Sequence, residues 1–197
     1  MRELRLHGRG GQGTVIASKL LAVALFLEGR EVQSFPMFGV ERRGSPVTAF
    51  LRVDDEPLKL RCEIQQPDEL IVLDPTLIGT TDITTGLKTG GRILINTDLA
   101  PEDFPQLLEK AHVSTIDASG IAVRHGLGGR AQPIVNTAIL GAYAADTGLI
   151  TMASMINAIR EEVPVQIDAN IAAATEAMSA VRHAPMGTIV AREAAHA

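Results

Sequence analysis

The sequence predicts an α/β fold: a three-layer, mostly parallel, Rossmann-like sheet with an antiparallel hairpin excursion and C-terminal helices. Three observations predict it. Strand-like and helix-like segments alternate from Glu3 to Asp117, the pattern of a sheet covered by helices. Two short apolar runs, Glu69 to Asp74 and Arg92 to Asn96, lack polar alternation, as strands covered on both faces do. A glycine-rich turn, Gly8-Arg9-Gly10-Gly11-Gln12-Gly13, stands between a strand pattern and a helix pattern.

The elements follow in order. Glu3 to His7 reads as the first strand and Thr14 to Glu28 as the first helix, where Ile16, Leu20, Val23 and Leu27 mark a buried stripe. Gly29 ends the helix. Glu31 to Phe35 reads as a second strand stopped by Pro36, and Val47 to Val53 as a third. Asp54 to Pro57 is a turn, after which Leu58 to Ile64 is expected to pair back as a hairpin. The two apolar strands come next. Pro101-Glu102-Asp103 opens a helix, with proline early and acids in the first turn. Val113 to Asp117 reads as the last strand. Helices are then expected over Pro133 to Asp146 (Ile134, Ile139, Leu140, Tyr143), over Met152 to Ile159 and over Ile167 to Val181. The organisation read is one domain over 1–185 and a poorly ordered Ala-, Arg- and Glu-rich tail over 186–197.

Composition narrows the function. The 197 residues are 46% hydrophobic but only 3% aromatic, so small aliphatic side chains must fill the core. A net charge of −5 argues against a nucleic-acid binder, which needs a basic surface. The one cysteine, Cys62, excludes an internal disulfide and cannot ligate an iron–sulfur cluster on its own. A reducing cytoplasm is the default compartment. No apolar run reaches the length of a membrane span, and Met1-Arg2-Glu3 does not open a signal peptide. His112, His125, His183 and His196 show no metal-site spacing, and His7 reads as a structural histidine. No Ser/His/Asp arrangement stands out.

The glycine turn carries the chemistry. Backbone N–H groups there converge at a positive helix end, a site for an anion. Its spacing also satisfies G-x-G-x-x-G. A dinucleotide enzyme, however, needs an acidic residue at the tip of the second strand to hold the ribose. Here that tip is Gln33-Ser34-Phe35-Pro36. No Lys-Ser or Lys-Thr follows the glycines, which excludes a Walker loop. Gln12 is expected to aim its amide outward, toward a ligand or partner. The candidate ligand-binding residues are therefore Gly8, Gly10, Gly11, Gln12, Gly13 and Thr14; a turn whose glycines serve packing alone is the alternative.

A second stretch, Phe35 to Pro46, opens with large apolar residues and then presents Glu41, Arg42 and Arg43 before Gly44. Apolar surface rimmed by charge suits a contact surface, and arginine suits carboxylate or phosphate. If the first two strands are neighbours, this loop and the glycine turn share one rim. Asp74 and Asp117 end strands, so each is a rim residue or a cap. Asn136 sits on an apolar helix, where its amide is either structural or faces the glycine turn.

The Gly-Gly-Gln-Gly turn joined to Phe38-Gly39-Val40-Glu41-Arg42-Arg43-Gly44-Ser45-Pro46-Val47, then Asp54-Asp55-Glu56-Pro57-Leu58, resembles the gamma subunit (domain III) of 2-oxoacid:ferredoxin oxidoreductases, most of all the pyruvate type. Pro133 to Thr137 and Leu140-Gly141-Ala142 resemble the family's helix after the sheet. The resemblance spans Leu4 to Val181. It implies a complex that decarboxylates a 2-oxoacid on thiamine diphosphate, passes electrons through iron–sulfur clusters to ferredoxin, and releases an acyl-CoA. Those cofactors would lie on alpha, beta and delta-type partners, with none on this chain and the isolated chain inactive. The gamma domain is implicated in CoA binding. By that resemblance Gly8 to Gly13 with Thr14 would bind an anion or shape the CoA channel. Phe38, Glu41, Arg42, Arg43 and Gly44 would contact CoA or a subunit. Two alternatives stay open: an indolepyruvate- or arylglyoxylate-type subunit, and a stand-alone NAD- or FAD-binding enzyme.

Overall fold

A computed structural model describes residues 1–37, 44–60 and 62–185. Seven strands form one sheet in the order β2-β3-β1-β4-β5-β6-β9. They are β1 (Arg2–Arg9), β2 (Glu31–Met37), β3 (Pro46–Asp54), β4 (Glu69–Val72), β5 (Gly91–Asn96), β6 (Ala111–Ile116) and β9 (Arg182–His183). Strands β1, β4, β5 and β6 run parallel. The β2–β3 hairpin joins β1 through an antiparallel pairing, and β9 caps the far edge. A separate two-residue pairing links β7 (Gly128–Gly129) and β8 (Gln132–Pro133).

One apolar layer contains α1 (Thr14–Leu27), α3 (Ala118–Arg124), α4 (Asn136–Thr147), α5 (Met152–Glu162) and α6 (Ile167–Ala180), packed on Leu4, Leu6, Leu51, Ile71 and Leu94 of the sheet. The opposite face is thinner. There Leu70, Val72, Ile93, Ile95 and Val113 meet Leu77, Ile83 and the short α2 (Pro105–Leu108). Among the described residues no helix is long and apolar enough to cross a membrane.

The α/β expectation holds; several details change. Leu58 to Ile64 form no strand among their described residues, because both edges of β3 are already taken, by β1 and β2. Strand β2 continues through Pro36 to Met37. It is the sheet's edge, where a missing N–H is tolerated. The helix expected from Pro101 is a 3₁₀ turn, Pro101–Asp103, then four residues of α2 opened by Pro105, which has no N–H to carry the first turn forward. Helix α4 begins later than expected, at Asn136, because Gln132 and Pro133 pair with Gly128 and Gly129, whereas α5 and α6 begin at Met152 and Ile167 as the sequence indicates. Val113 to Asp117 is not the last strand, and α3 escapes the sequence reading.

The buried stripe of α1 also differs. Thr14, Ala17, Ser18, Leu20, Leu21, Ala24 and Leu25 face the core, while Ile16 and Leu27 are exposed. The helix is apolar around most of its circumference, so periodicity cannot select a face. In α6 the buried residues are Asn170, Ala173, Ala174 and Ala177, with Met178 exposed. The tail over 186–197 lies outside the described residues.

Candidate functional site

The glycine turn leaves the carboxyl end of β1. Ladder bonding persists one residue beyond the strand: the Gly10 N–H donates to the Ser45 carbonyl at 2.9 Å, and the Gly44 N–H donates to the Gly10 carbonyl at 3.1 Å. The chain then reverses, with the Gln12 N–H donating to the Arg9 carbonyl at 3.1 Å. Gly11 (φ 101°) and Gly13 (φ 85°) adopt the left-handed region, which side chains other than glycine rarely enter. A Cβ on Gly8 would collide with Thr14 Oγ1, and one on Gly11 with the Gln132 amide. One on Gly13 would meet Asn136 Nδ2 at 3.0 Å.

Gly13 is the N-cap of α1, and no side chain caps that helix. The Thr14 hydroxyl is buried beside Gly8 and takes no hydrogen bond. An uncapped helix start, two left-handed glycines and an orphaned hydroxyl thus meet in one place. Asn136 is buried against Gly13, its Oδ1 accepting from the Thr137 N–H at 2.9 Å. It faces the turn, one of the two placements open from sequence.

Gln12 is the clearest departure. Its amide turns inward: Oε1 accepts from the Arg9 N–H at 2.8 Å and Nε2 donates to Asp74 Oδ2 at 2.7 Å. An amide so spent cannot reach a ligand, so the turn offers backbone groups and the Thr14 hydroxyl. Arg9 is committed as well, to Thr76 Oγ1, the Gly44 carbonyl and Asp74. Asp74 and Asp117 both cap, Asp74 a 3₁₀ turn at Pro75–Leu77 and Asp117 the start of α3.

Strands β1 and β2 are not neighbours, since β3 lies between them. Two antiparallel steps nevertheless return β2 to the direction of β1, so β2 ends and β3 begins beside the glycine turn. Gly44, with φ 84°, is bonded directly to Gly10. Phe38, Glu41, Arg42 and Arg43 lie outside the described residues. Phe35 is no free apolar contact: its ring stacks at 5.3 Å on Phe50. The intervening β3 also occupies the place where a dinucleotide's ribose would meet the second strand.

His7, two residues before the end of β1, is 8% exposed with no partner on Nε2. Burial, then the Arg5 charge, push its imidazole down to about 4. The unfolded chain takes up this proton near pH 6.5, the folded chain only near 4. Stability from His7 is therefore complete above the first value and lost as pH falls toward the second. Between these limits the native chain should lose up to about 3 kcal/mol more than a His7→Leu variant. Urea titrations across that range check it; parallel curves would refute it.

Ser114, Asp146 and His183 do come together, which the sequence did not disclose. Both Ser114 Oγ and Asp146 Oδ1 meet the same nitrogen, Nδ1, each at 3.1 Å. A triad needs base and orienter on different ring nitrogens, so this cluster fastens β9 to β6 and α4.

The family model for pyruvate ferredoxin/flavodoxin oxidoreductase matches residues 3–180. The chain belongs to this family. It is 51% identical over 164 residues to the "pyruvate/ketoisovalerate oxidoreductases common subunit gamma" of Thermococcus kodakarensis, covering 82% of this chain and 86% of that one. It is 47% identical over 184 residues to "pyruvate synthase subunit PorC" of Methanothermobacter marburgensis, covering 93% and 99%. The crystal structure of the pyruvate oxidoreductase subunit PORC of Thermotoga maritima superposes with a TM-score of 0.79 at 33% identity, covering 93% and 98%. As a member of the pyruvate ferredoxin/flavodoxin oxidoreductase family the chain is a gamma-type subunit, as its glycine and Glu-Arg-Arg-Gly segments led us to expect.

Proposed function

We propose that this gamma subunit serves the oxidative decarboxylation of pyruvate or a related 2-oxoacid to acyl-CoA, and that its glycine turn receives a phosphate of CoA. The observation that carries the reading is the orphaned Thr14 hydroxyl at an uncapped helix start lined by left-handed glycines. Backbone N–H groups and a hydroxyl donor suit an anion. The nearby Asp74 charge is offset by Arg9 at 3.4 Å and by Gln12, so it does not repel one. CoA would supply the thiol that accepts the acyl group. Thr14 and the turn would hold its phosphate, and Phe38, Glu41, Arg42, Arg43 and Gly44 are assigned to contact with CoA or a partner subunit.

The residues present do not fit an iron–sulfur cluster. Cys62 is the one cysteine, and among the described residues no three His, Cys, Asp or Glu side chains gather as a metal site. Thiamine diphosphate and the clusters are assigned to alpha, beta and delta-type companions, and ferredoxin meets those. The cytoplasm is the proposed compartment. A gamma chain described as common to pyruvate and ketoisovalerate enzymes favours a 2-oxoacid pocket on the companions, and favours the pyruvate type over indolepyruvate or arylglyoxylate types.

Thr14→Val in the assembled enzyme tests the cradle, because valine keeps the shape and removes the hydroxyl. The Michaelis constant for CoA should rise about tenfold with that for the 2-oxoacid unchanged. The folded chain should gain roughly 1 kcal/mol, since a buried unpaired hydroxyl is costly. An unchanged constant for CoA refutes the reading. In Arg42→Ala/Arg43→Ala, an unchanged constant for CoA together with unchanged subunit association would reject both roles given to that pair.

A further inference from the structure

We propose that Asp74 is the positioning residue of the glycine turn: its two carboxylate oxygens bind different parts of the rim and so set the turn's shape. For its effect on CoA the inference rests on the reading above; for its effect on the turn it does not.

Asp74 follows β4 and is 7% exposed. Oδ1 performs the capping role, accepting from the Thr76 N–H at 2.9 Å and the Thr76 hydroxyl at 2.6 Å. Capping uses this one oxygen. Oδ2 is left over, and it accepts from Gln12 Nε2 at 2.7 Å across 62 residues of sequence. It also stands 3.4 Å from Arg9 Nε. Gln12 passes the restraint on, because its Oε1 accepts the Arg9 N–H. Arg9 extends it to the far side, donating from Nη1 to the Gly44 carbonyl at 3.1 Å. One buried carboxylate thus fixes both ends of a turn whose glycines have no side chains of their own to hold them. A charged acceptor makes the stronger kind of hydrogen bond, and the glycines' freedom is what it must restrain.

Two single changes and their combination test this in the assembled enzyme. Asp74→Asn retains an oxygen for Thr76 and places an NH₂ group against the Gln12 NH₂. Gln12→Glu sets a second carboxylate oxygen against Asp74 Oδ2. Combined, they restore the contact with donor and acceptor exchanged, and a negative charge returns beside Arg9. Hydrogen exchange of the peptide carrying Gly8 to Thr14 reports the turn's order, and the Michaelis constant for CoA reports its use. Each single variant should raise both about tenfold, with kcat held within about twofold. The double variant should bring both back to within about threefold of the native values. Unchanged exchange in both single variants, or no recovery in the double, overturns the proposal. Recovery also separates positioning from general damage, which a second substitution would deepen. If exchange rises and recovers while the constant for CoA stays fixed, the positioning role stands and the CoA reading of the turn falls.

Discussion

Replacing Arg52 by leucine is expected to cost about 3 kcal/mol of folding stability. Arg52 is 1% exposed in β3, the middle strand of the antiparallel half of the sheet. Glu3 on β1 and Gln33 on β2 stand directly opposite it on either side. Its Nε donates to Glu3 Oε1 at 2.8 Å, its Nη1 to Gln33 Oε1 at 3.3 Å, and its guanidinium lies 5.6 Å from the centre of the Phe35 ring. Leucine would leave the Glu3 carboxylate, only 14% exposed, with no counter-charge, and an unpaired buried charge is the costly state. Glu3→Leu added to Arg52→Leu should therefore recover most of the loss, because replacing both partners by apolar groups is close to neutral. Urea midpoints of the three variants decide the matter. A single variant costing under about 1 kcal/mol would show that the pair is solvated and weak. The pair lies at the opposite end of β1 from the glycine turn, so the Michaelis constant for CoA of the folded enzyme should not move.

Gly141→Ala should also destabilise strongly, by about 3 kcal/mol, although alanine is the better helix former. Helix propensity alone predicts a gain of about 1 kcal/mol. Packing predicts the opposite sign. Helix α4 is buried along most of its length and crosses α6 at small residues, Ala138, Ala142, Ala173 and Ala174 among them. A Cβ on Gly141 would stand 2.7 Å from the Ala174 Cα and 2.6 Å from its carbonyl carbon. Backbone cannot swing aside as a side-chain tip can, so the helices must part and overpacking is costly. Ala174→Gly should fail to rescue the variant, because the collision is with backbone. A raised urea midpoint for Gly141→Ala would refute the close approach.

These two positions show what is hard to read in a sequence. Arg52 looks like an exposed charge on a strand until the register sets Glu3 and Gln33 beside it, and register depends on which strands pair. Helix α1 shows the same difficulty from another side. With apolar residues all round, its stripe of Ile16, Leu20, Val23 and Leu27 was as plausible as the observed face of Leu20, Leu21, Ala24 and Leu25. Packing chose between them. The segment Leu58 to Ile64 reads as a hairpin partner only if β3 has a free edge, and both of its edges are paired.

The glycine turn was legible because its physics is local. Left-handed glycines, a strand before them and a helix after them lie within a few residues of one another. The direction of the Gln12 amide was not legible, since its partner Asp74 is remote in sequence. The sequence by itself determined the alternation of strands and helices, the glycine turn and the lack of cysteines for a cluster, because each depends on residue type and near neighbours. Only the tertiary structure decided that β3 separates β1 from β2, that Gln12 faces Asp74, and that Thr14 keeps an unpaired hydroxyl. Those outcomes depend on contacts between residues far apart in the chain, where burial and strand pairing override local preference.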